Sequence, residues 1–267
     1  MSDAVTIEHA PIAAPSFMNK VPQVTLAFWI IKIAATTLGE TGGDALSMTL
    51  DLGYAVSTVI LFGFFAASAS AQISSRKFHA FLYWTVIVAT TMVGTTMADL
   101  ADRSLGIGYV GGSLILFAIL MATLGCWRYA VGSVSVDRIT SPRVETFYWF
   151  TILFSNTLGT ALGDFLADDS GLGYDGAALV FAGVLAVVAA LYFSTRISRT
   201  LLFWMAFILT RPLGATVGDI LTKPHADGGL DLSRIASSAV IAVFMIACIA
   251  LTSREAGGHP GTREEMR

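Results

Sequence analysis

One pattern occurs four times in this chain and limits the folds it can adopt. Each copy starts with a tryptophan, has a glycine ten residues later and an aspartate fifteen residues later, and has a second glycine nine residues after the aspartate. The tryptophans are Trp29, Trp84, Trp149 and Trp204, the aspartates are Asp44, Asp99, Asp164 and Asp219, and the second glycines are Gly53, Gly108, Gly173 and Gly228. Spacings of 55, 65 and 55 residues between the tryptophans indicate two successive duplications and predict a repeat architecture.

The composition places these repeats in a membrane. Hydrophobic residues make up 55% of the 267 residues and charged residues only 13%, which is too little polar surface for a water-soluble domain. One long apolar stretch precedes each aspartate and another follows each second glycine, so each repeat reads as two membrane helices joined by a short turn. We therefore predict an all-α membrane protein with eight transmembrane helices, at about 22–46, 54–73, 80–100, 109–130, 145–167, 174–195, 200–221 and 233–252.

Because every repeat has two helices, all four repeats enter the membrane from the same side and are parallel. We expect a single transmembrane domain over 22–252, with repeats at about 22–77, 78–138, 143–198 and 199–252, between tails at 1–21 and 253–267. The termini and the loops between repeats carry eleven basic residues: Lys20, Arg76, Lys77, Arg128, Arg138, Arg143, Arg196, Arg199, Arg254, Arg263 and Arg267. The turns inside repeats carry only Arg103, Lys223 and Arg234, so the positive-inside rule predicts that both termini are cytoplasmic.

The repeats resemble a known family. Four tandem two-helix units, with stretches such as "GTTMADLADRSLGIGY" and "NTLGTALGDFLADDSGLGY", are similar to a bacterial family of uncharacterised membrane-anchored proteins built from four copies of a repeat of unknown function. The resemblance covers nearly all of 22–252 and implies the same topology and a location in the bacterial inner membrane. It implies no activity, so a function has to be argued from the residues.

The odd-numbered helices carry a polar stripe. Counting from each tryptophan as position 0, positions 7, 11 and 15 fall on the same helix face as the tryptophan. They hold Thr36, Glu40 and Asp44 in the first copy, Thr91, Thr95 and Asp99 in the second, Asn156, Thr160 and Asp164 in the third, and Arg211, Ala215 and Asp219 in the fourth. A polar stripe in a membrane must face protein or water, so we place the odd helices at the centre and the uniformly apolar even helices around them.

Small residues at positions 10 and 14 of every copy, such as Gly39 and Gly43, predict close packing between neighbouring helices. Lys32, Glu40 and Arg211 are ionisable residues well inside the predicted spans, where each costs at least ~2.5 kcal/mol. We expect Lys32 to pair with Glu40 or with an aspartate of a neighbouring helix. Pro212 follows Arg211 and predicts a kink or a break in the seventh helix.

The aspartates at position 15 have two readings. They lie near helix C-termini, where the helix dipole disfavours negative charge, so their presence in all four copies suggests a functional role. Alternatively, they are solvated or cap the following turn. The functional interpretation predicts a small secondary transporter for a cation, with hydroxyl, amide and carboxylate ligands on the central helices. These ligands suit a divalent ion such as manganese, and a buried carboxylate near a lysine suits coupling to protons. The predicted metal ligands are Glu40, Asp44, Asp99, Asp164 and Asp219, and "GETGGD" at 39–44 is loosely similar to an acidic element of manganese and calcium cation/proton exchangers.

Two alternatives remain open: a sensor or assembly partner that transports nothing, and an anion or organic-solute carrier that uses Lys32 and Arg211. The sequence contains no nucleophile with its base, no phosphate-binding glycine loop and no zinc-protease motif. We therefore expect a protein that is not an enzyme, needs no cofactor and binds no nucleic acid, and whose partners are the lipid bilayer and a small ion or solute. The sequence does not specify its oligomeric state.

Overall fold

The computed structural model describes residues 20–252 except 76, 135–138 and 140. The described residues form eight α-helices: α1 (Leu26–Asp44), α2 (Gly53–Ser74), α3 (Ala80–Asp99), α4 (Gly108–Val131), α5 (Pro142–Asp164), α6 (Gly173–Ser194), α7 (Arg199–Thr222) and α8 (Arg234–Leu251). Their ends agree with the predicted ones to within a few residues; the largest difference is at α1, which begins at Leu26 and not near residue 22. The predicted tail at 253–267, most of the tail at 1–21 and part of the connection near residue 140 lie outside the described residues.

Local sequence explains where the helices begin. The hydroxyls of Thr25, Ser141, Ser198 and Ser233 accept hydrogen bonds from backbone N–H groups in the first turns of α1, α5, α7 and α8, which satisfies donors that a helix start leaves free. In the first three copies, the odd helix ends in a π-helical turn, at Ala45–Thr49, Leu100–Ser104 and Phe165–Asp169. The next helix then starts at a glycine with positive φ, at Gly53, Gly108 and Gly173, which explains why glycine recurs there.

The four odd helices form a closed ring. Helix α1 packs against α3 and α7, and α5 packs against α3 and α7 on the opposite side. Each even helix packs mainly on the odd helix of the following repeat: α2 on α3, α4 on α5 and α6 on α7, while α8 returns to α1 and closes the circle. The predicted arrangement, with odd helices central and even helices peripheral, is confirmed.

Burial distinguishes the two sets of helices. Central helix α3 buries thirteen residues, whereas peripheral α6 buries only Ala177, Phe181 and Val188, and α8 only Met245 and Ile249. The outer faces of the even helices expose large apolar side chains, which suits contact with lipid. Six of the described helices are long and apolar enough to cross a membrane. The other two, α1 and α5, belong to the ring, where neighbouring helices bury their polar residues.

The close packing predicted from the small residues is confirmed, and it follows the order of the ring. In three of the four copies, a Cβ atom added to the position-10 glycine would overlap the position-7 side chain of the next copy, and at Gly94 it would press against the backbone of Asn156. The pairs are Gly39 with Thr91, Gly94 with Asn156, Gly159 with Arg211 and Gly214 with Thr36. The glycine therefore makes room for the polar residue of the neighbouring helix, and this device is repeated four times around the axis.

We call the end of the bundle where the chain enters each repeat the terminal end. The opposite end, which carries the turns inside the repeats, is the turn end. Aromatic side chains of the odd helices form a second ring near the terminal end. The residue before each tryptophan contacts the tryptophan of the next copy. Phe28 lies 5.3 Å from Trp84, Tyr83 5.6 Å from Trp149, Tyr148 6.3 Å from Trp204, and Phe203 5.7 Å from Trp29, measured between ring centroids. The repeated tryptophans thus hold adjacent central helices together.

Of the kink or break predicted in the seventh helix, the break is wrong. Helix α7 runs without interruption from Arg199 to Thr222 and contains Pro212. Its packing against α1, α5 and α6 supports the helix on several sides, and neighbouring helices can compensate for the backbone hydrogen bond that a proline removes.

Candidate functional site

The predicted site residues are all buried between the central helices. Thr36, Thr91, Thr95, Asn156, Thr160, Arg211 and Lys32 have no exposed surface, and Glu40, Asp44, Asp99, Asp164 and Asp219 are at most 3% exposed. They occupy successive levels along the axis of the ring, with position 7 near the middle of the odd helices and position 15 at the turn end. The levels differ in chemistry.

The middle level is built around Arg211. Its Nη2 atom lies 3.0 Å from Glu40 Oε2, and its Nη1 atom lies 3.1 Å from the same oxygen. Nη2 also donates to the hydroxyls of Thr95 at 2.7 Å and Thr160 at 2.6 Å. One guanidinium on α7 therefore binds side chains from the three other central helices, which fixes their relative positions through charge-assisted hydrogen bonds.

This convergence has a simple origin in the repeat. Glu40, Thr95 and Thr160 are the position-11 residues of the first three copies, and each provides an oxygen. The fourth copy has Ala215 at that position, where the short side chain is fully buried. Arg211, one turn earlier on the same helix, extends to the level of the three oxygens, so the fourth copy supplies the donor that the other three need.

The threonines at position 7 connect neighbouring helices through the backbone. The Thr36 hydroxyl lies 3.1 Å from the carbonyl oxygen of Thr210 on α7, and the Thr91 hydroxyl lies 3.2 Å from the carbonyl oxygen of Ala35 on α1. Both hydroxyls can also donate to carbonyls of their own helices. These two predicted ligands therefore have a structural role in helix packing.

Lys32 does not have the carboxylate partner that was predicted. Its Nζ atom lies 3.5 Å from the Asn156 side-chain oxygen and 4.1 Å from the centroid of the Phe207 ring. Asn156 in turn donates to the hydroxyl of Thr90 at 2.9 Å. Glu40 is bound to Arg211, so the expected pairing of Lys32 with Glu40 or with an aspartate is wrong. The Lys32 ammonium is held by one amide oxygen and one aromatic ring, which is weak compensation for a buried charge.

At the turn end, the four position-15 aspartates are divided into two pairs by two cations. Arg103 lies 2.9 Å from Asp99 and 3.8 Å from Asp164. Lys223 lies 3.2 Å from Asp219 and 3.6 Å from Asp44. Each cation stands four residues after the aspartate of its own copy and also reaches the aspartate of the next copy around the ring. The second and fourth copies therefore supply the positive charges for all four aspartates.

Arg103 and Lys223 did not emerge from the sequence as site residues, although a signal was present. Position 19 holds Met48 and Asp168 in the other two copies, so the charge alternates around the ring. Asp168 lies 3.6 Å from Arg103 and accepts hydrogen bonds from the hydroxyls of Tyr109, at 2.8 Å, and Tyr174, at 3.1 Å. Although burial opposes its positive charge, the carboxylates of Asp219 and Asp44 hold the pKa of Lys223 above its ordinary value.

Three carboxylates lie close enough to share one ion. One oxygen each from Glu40, Asp44 and Asp219 lies within 4.8 Å of the other two, and all three side chains are buried. Oxygens on opposite sides of a Ca²⁺ ion, each at 2.3–2.6 Å, are up to about 5 Å apart, so the spacing fits a hard divalent cation. The two remaining predicted metal ligands, Asp99 and Asp164, are held by Arg103 on the other side of the ring.

Asp44 is the least satisfied member of this cluster. Neither of its carboxylate oxygens accepts a hydrogen bond from a described residue, although the side chain is only 1% exposed. Lys223 Nζ and Arg234 Nε both lie 3.6 Å from Asp44 Oδ2, beyond the normal length of a hydrogen bond. A buried carboxylate that lacks hydrogen bonds is costly, so Asp44 is suited to bind a further positive charge.

The repeats match a known family. A family model described as "Repeat of Unknown Function (DUF347)" matches residues 27–78, 82–132, 147–198 and 202–257. The chain belongs to this family. The four matches correspond to the four two-helix units of the ring, and the predicted resemblance is confirmed. No curated protein and no solved structure matches the chain.

Proposed function

We propose that this protein is a small secondary transporter for a divalent cation and not an enzyme, with the ion bound between Glu40, Asp44 and Asp219. The observation that carries the proposal is the Asp44 carboxylate, which is buried and without hydrogen bonds while facing two other carboxylates within 4.8 Å. Oxygen-only ligands favour Mg²⁺, Ca²⁺ or Mn²⁺ over ions that prefer nitrogen or sulfur. The site lies on α1 and α7, near the turn end of the ring.

The protein's own cations compete for the same oxygens. Arg211 binds Glu40, and Lys223 binds Asp219 at the turn end. Lys223 and Arg234 each lie 3.6 Å from Asp44. A divalent ion that binds the three carboxylates has to displace at least one of these groups, or protons have to leave the carboxylates as it binds. Release of two protons as one divalent ion binds would keep the buried charge balanced, which supports coupling of cation movement to proton movement.

Flux through reconstituted protein tests this proposal. The purified chain would be placed in liposomes that contain a fluorescent indicator for Mn²⁺ or Ca²⁺, and uptake would be measured with and without a pH gradient. We expect Asp44→Asn to lower the rate at least about tenfold, because the substitution removes a charged ligand while it keeps the size of the side chain. Glu40→Gln and Asp219→Asn should lower it as well.

The matched control is Asp175→Asn, which removes an exposed carboxylate from the same end of the protein. It should leave the flux unchanged. Uptake equal to that of empty liposomes, or equal rates for wild type and Asp44→Asn, would contradict the proposal.

A structural protein without transport is the second candidate. It is favoured by the Arg211–Glu40 ion pair, which already satisfies one carboxylate of the cluster and binds all four central helices together. A sensor or an assembly partner would then show no flux and would co-purify with a stoichiometric partner. An anion or organic-solute carrier is less well supported, because Arg211 is occupied by Glu40 and only Lys32 would remain for the solute.

We further propose that the protein lies in a bacterial inner membrane with both termini in the cytoplasm, in agreement with the basic residues at the terminal end. Single cysteines at Ser170, on the turn end, and at Ser198, on the terminal end, are both in exposed positions. After Cys126 and Cys248 are replaced by serine, a membrane-impermeant thiol reagent added to whole cells should label the variant at position 170 and not the one at position 198. The reverse pattern would contradict this orientation.

A further inference from the structure

A lateral cavity lies at the terminal end, away from the carboxylate cluster. It has a volume of about 450 Å³ and is bounded by α1, α6 and α7. Its walls are mainly apolar and include Trp29, Ile33, Val188 and Phe203. Leu26 and Phe193 also line it and are 77% and 84% exposed, so the cavity opens on the outer surface that faces lipid.

The repeat allows this cavity to be compared with an equivalent groove elsewhere in the ring. The corresponding groove, one repeat further round, lies between α8, α1 and α3 and has a volume of only about 30 Å³. Phe28 and Trp84 line that groove at the same repeat positions at which Phe203 and Trp29 line the large cavity. At position 2 of the copies, however, the small groove has Ile31 and the large cavity has Ala206. The shorter side chain of Ala206 contributes to the larger volume of this cavity.

The mouth of the cavity is positively charged. Arg199, at the start of α7, lines the cavity, with its guanidinium 4.3 Å from the Tyr192 ring centroid and a hydrogen bond to the Tyr192 carbonyl oxygen. These contacts use only part of its donor capacity, because a guanidinium has five N–H groups. Arg196 is exposed in the loop just before it. An anionic group at the membrane surface would meet the Arg199 guanidinium at the edge of the cavity.

The cavity is long as well as wide. Its lining extends from Thr25 to Ile33 on α1 and from Arg199 to Thr210 on α7. At 1.5 Å per residue, these stretches are about 12 and about 16 Å long. An apolar slot of this length, open to the bilayer and with an arginine at the membrane surface, matches an acyl chain that carries an anionic headgroup.

We propose that the cavity between α1, α6 and α7 binds one anionic phospholipid, with an acyl chain along Trp29 and Ala206 and the phosphate at Arg199. The bound lipid would contact α1 and α7, the two helices that carry Glu40, Asp44 and Asp219. This proposal does not depend on cation transport.

Native mass spectrometry of the full-length chain in detergent tests the site, with phosphatidylglycerol and phosphatidylcholine added at equal concentration. We expect the wild type to retain one phosphatidylglycerol in preference to phosphatidylcholine. Ala206→Ile places the side chain of the small groove in the large cavity and should lower lipid retention at least about tenfold. Ala190→Ile adds the same volume at an exposed position of α6, on a face turned away from the cavity, and should leave retention unchanged.

Arg199→Gln is the second variant, because it tests the headgroup without changing the apolar walls. It should reduce the preference for phosphatidylglycerol over phosphatidylcholine about fivefold, while a lipid acyl chain still binds in the cavity. Equal retention by wild type and Ala206→Ile would overturn the proposed site. An unchanged headgroup preference in Arg199→Gln would overturn the assignment of an anionic lipid. Gel filtration of each variant would establish that it is folded.

Discussion

Arg211 and Glu40 form a fully buried ion pair at 3.0 Å between α7 and α1, at the level where the position-11 residues of the repeats meet. The arginine comes from the fourth copy and the glutamate from the first, so the pair joins the beginning and the end of the ring. The two residues replace the uncharged residues that the second and third copies have at these positions, Thr91 and Thr95, and Asn156 and Thr160. Divergence of duplicated repeats has thus placed one cation and one anion where they meet on the axis.

We expect Arg211→Met to destabilise the protein by about 3–5 kcal/mol, because Glu40 would remain buried without a counter-charge. The double substitution Arg211→Met with Glu40→Gln should recover part of this loss, since it removes the unpaired charge. The measurement is unfolding in detergent, followed by tryptophan fluorescence. Arg196→Met, at an exposed arginine, serves as the control and should have little effect. A double variant no more stable than Arg211→Met would contradict the argument.

Lys32 should respond in the opposite way. Its ammonium is fully buried, and its partners among the described residues are the Asn156 oxygen at 3.5 Å and the Phe207 ring. Replacing it with methionine removes a poorly compensated charge and keeps the long apolar chain, so we expect Lys32→Met to unfold at the same temperature as wild type or a higher one. The same unfolding assay checks this. A loss as large as that of Arg211→Met would show that Lys32 has a counter-charge in the folded protein.

The helices, their order and the division into central and peripheral sets could be predicted because they depend on periodicity. Hydropathy and the 3.6-residue turn determine which face of α3 is polar, and burial of Thr91, Thr95 and Asp99 follows. The packing of each even helix on the following repeat could not be predicted, because nearly uniform apolar helices such as α6 carry no stripe that identifies a partner.

The pairing of side chains within the site could not be predicted from the sequence pattern either. Lys32 and Glu40 lie on the same helix, yet the long side chain of Arg211 reaches Glu40 and leaves Lys32 beside Asn156. Arg103 and Lys223 fall in turns, where periodicity says little about direction. Their partners depend on how far each flexible side chain extends across the ring, which is a property of the assembled helices.

The glycines at position 10 give a sharp test of packing. In Gly39→Ala, the new methyl group would overlap Thr91 Cβ, so we expect a loss of about 1–3 kcal/mol in stability. Gly63→Ala on α2 is the matched control, because nothing lies within 4 Å of the added Cβ there. The control should be neutral or more stable by up to about 1 kcal/mol, since alanine favours a helix. Equal effects of the two substitutions in the unfolding assay would contradict close packing at Gly39.

Lys223 and Arg103 occupy the same repeat position, and their comparison tests where a cation binds. Lys223→Gln removes the ammonium beside Asp44 and Asp219. We therefore expect added Mn²⁺ or Ca²⁺ to raise the unfolding temperature of this variant more than that of wild type. Above the Kd, the rise should be proportional to the logarithm of the ion concentration. Arg103→Gln frees Asp99 and Asp164, which lie apart from the three-carboxylate cluster, and should respond much less. An equal response of both variants would mean that the ion recognises only the acidity of the turn end, and not the arrangement of Glu40, Asp44 and Asp219.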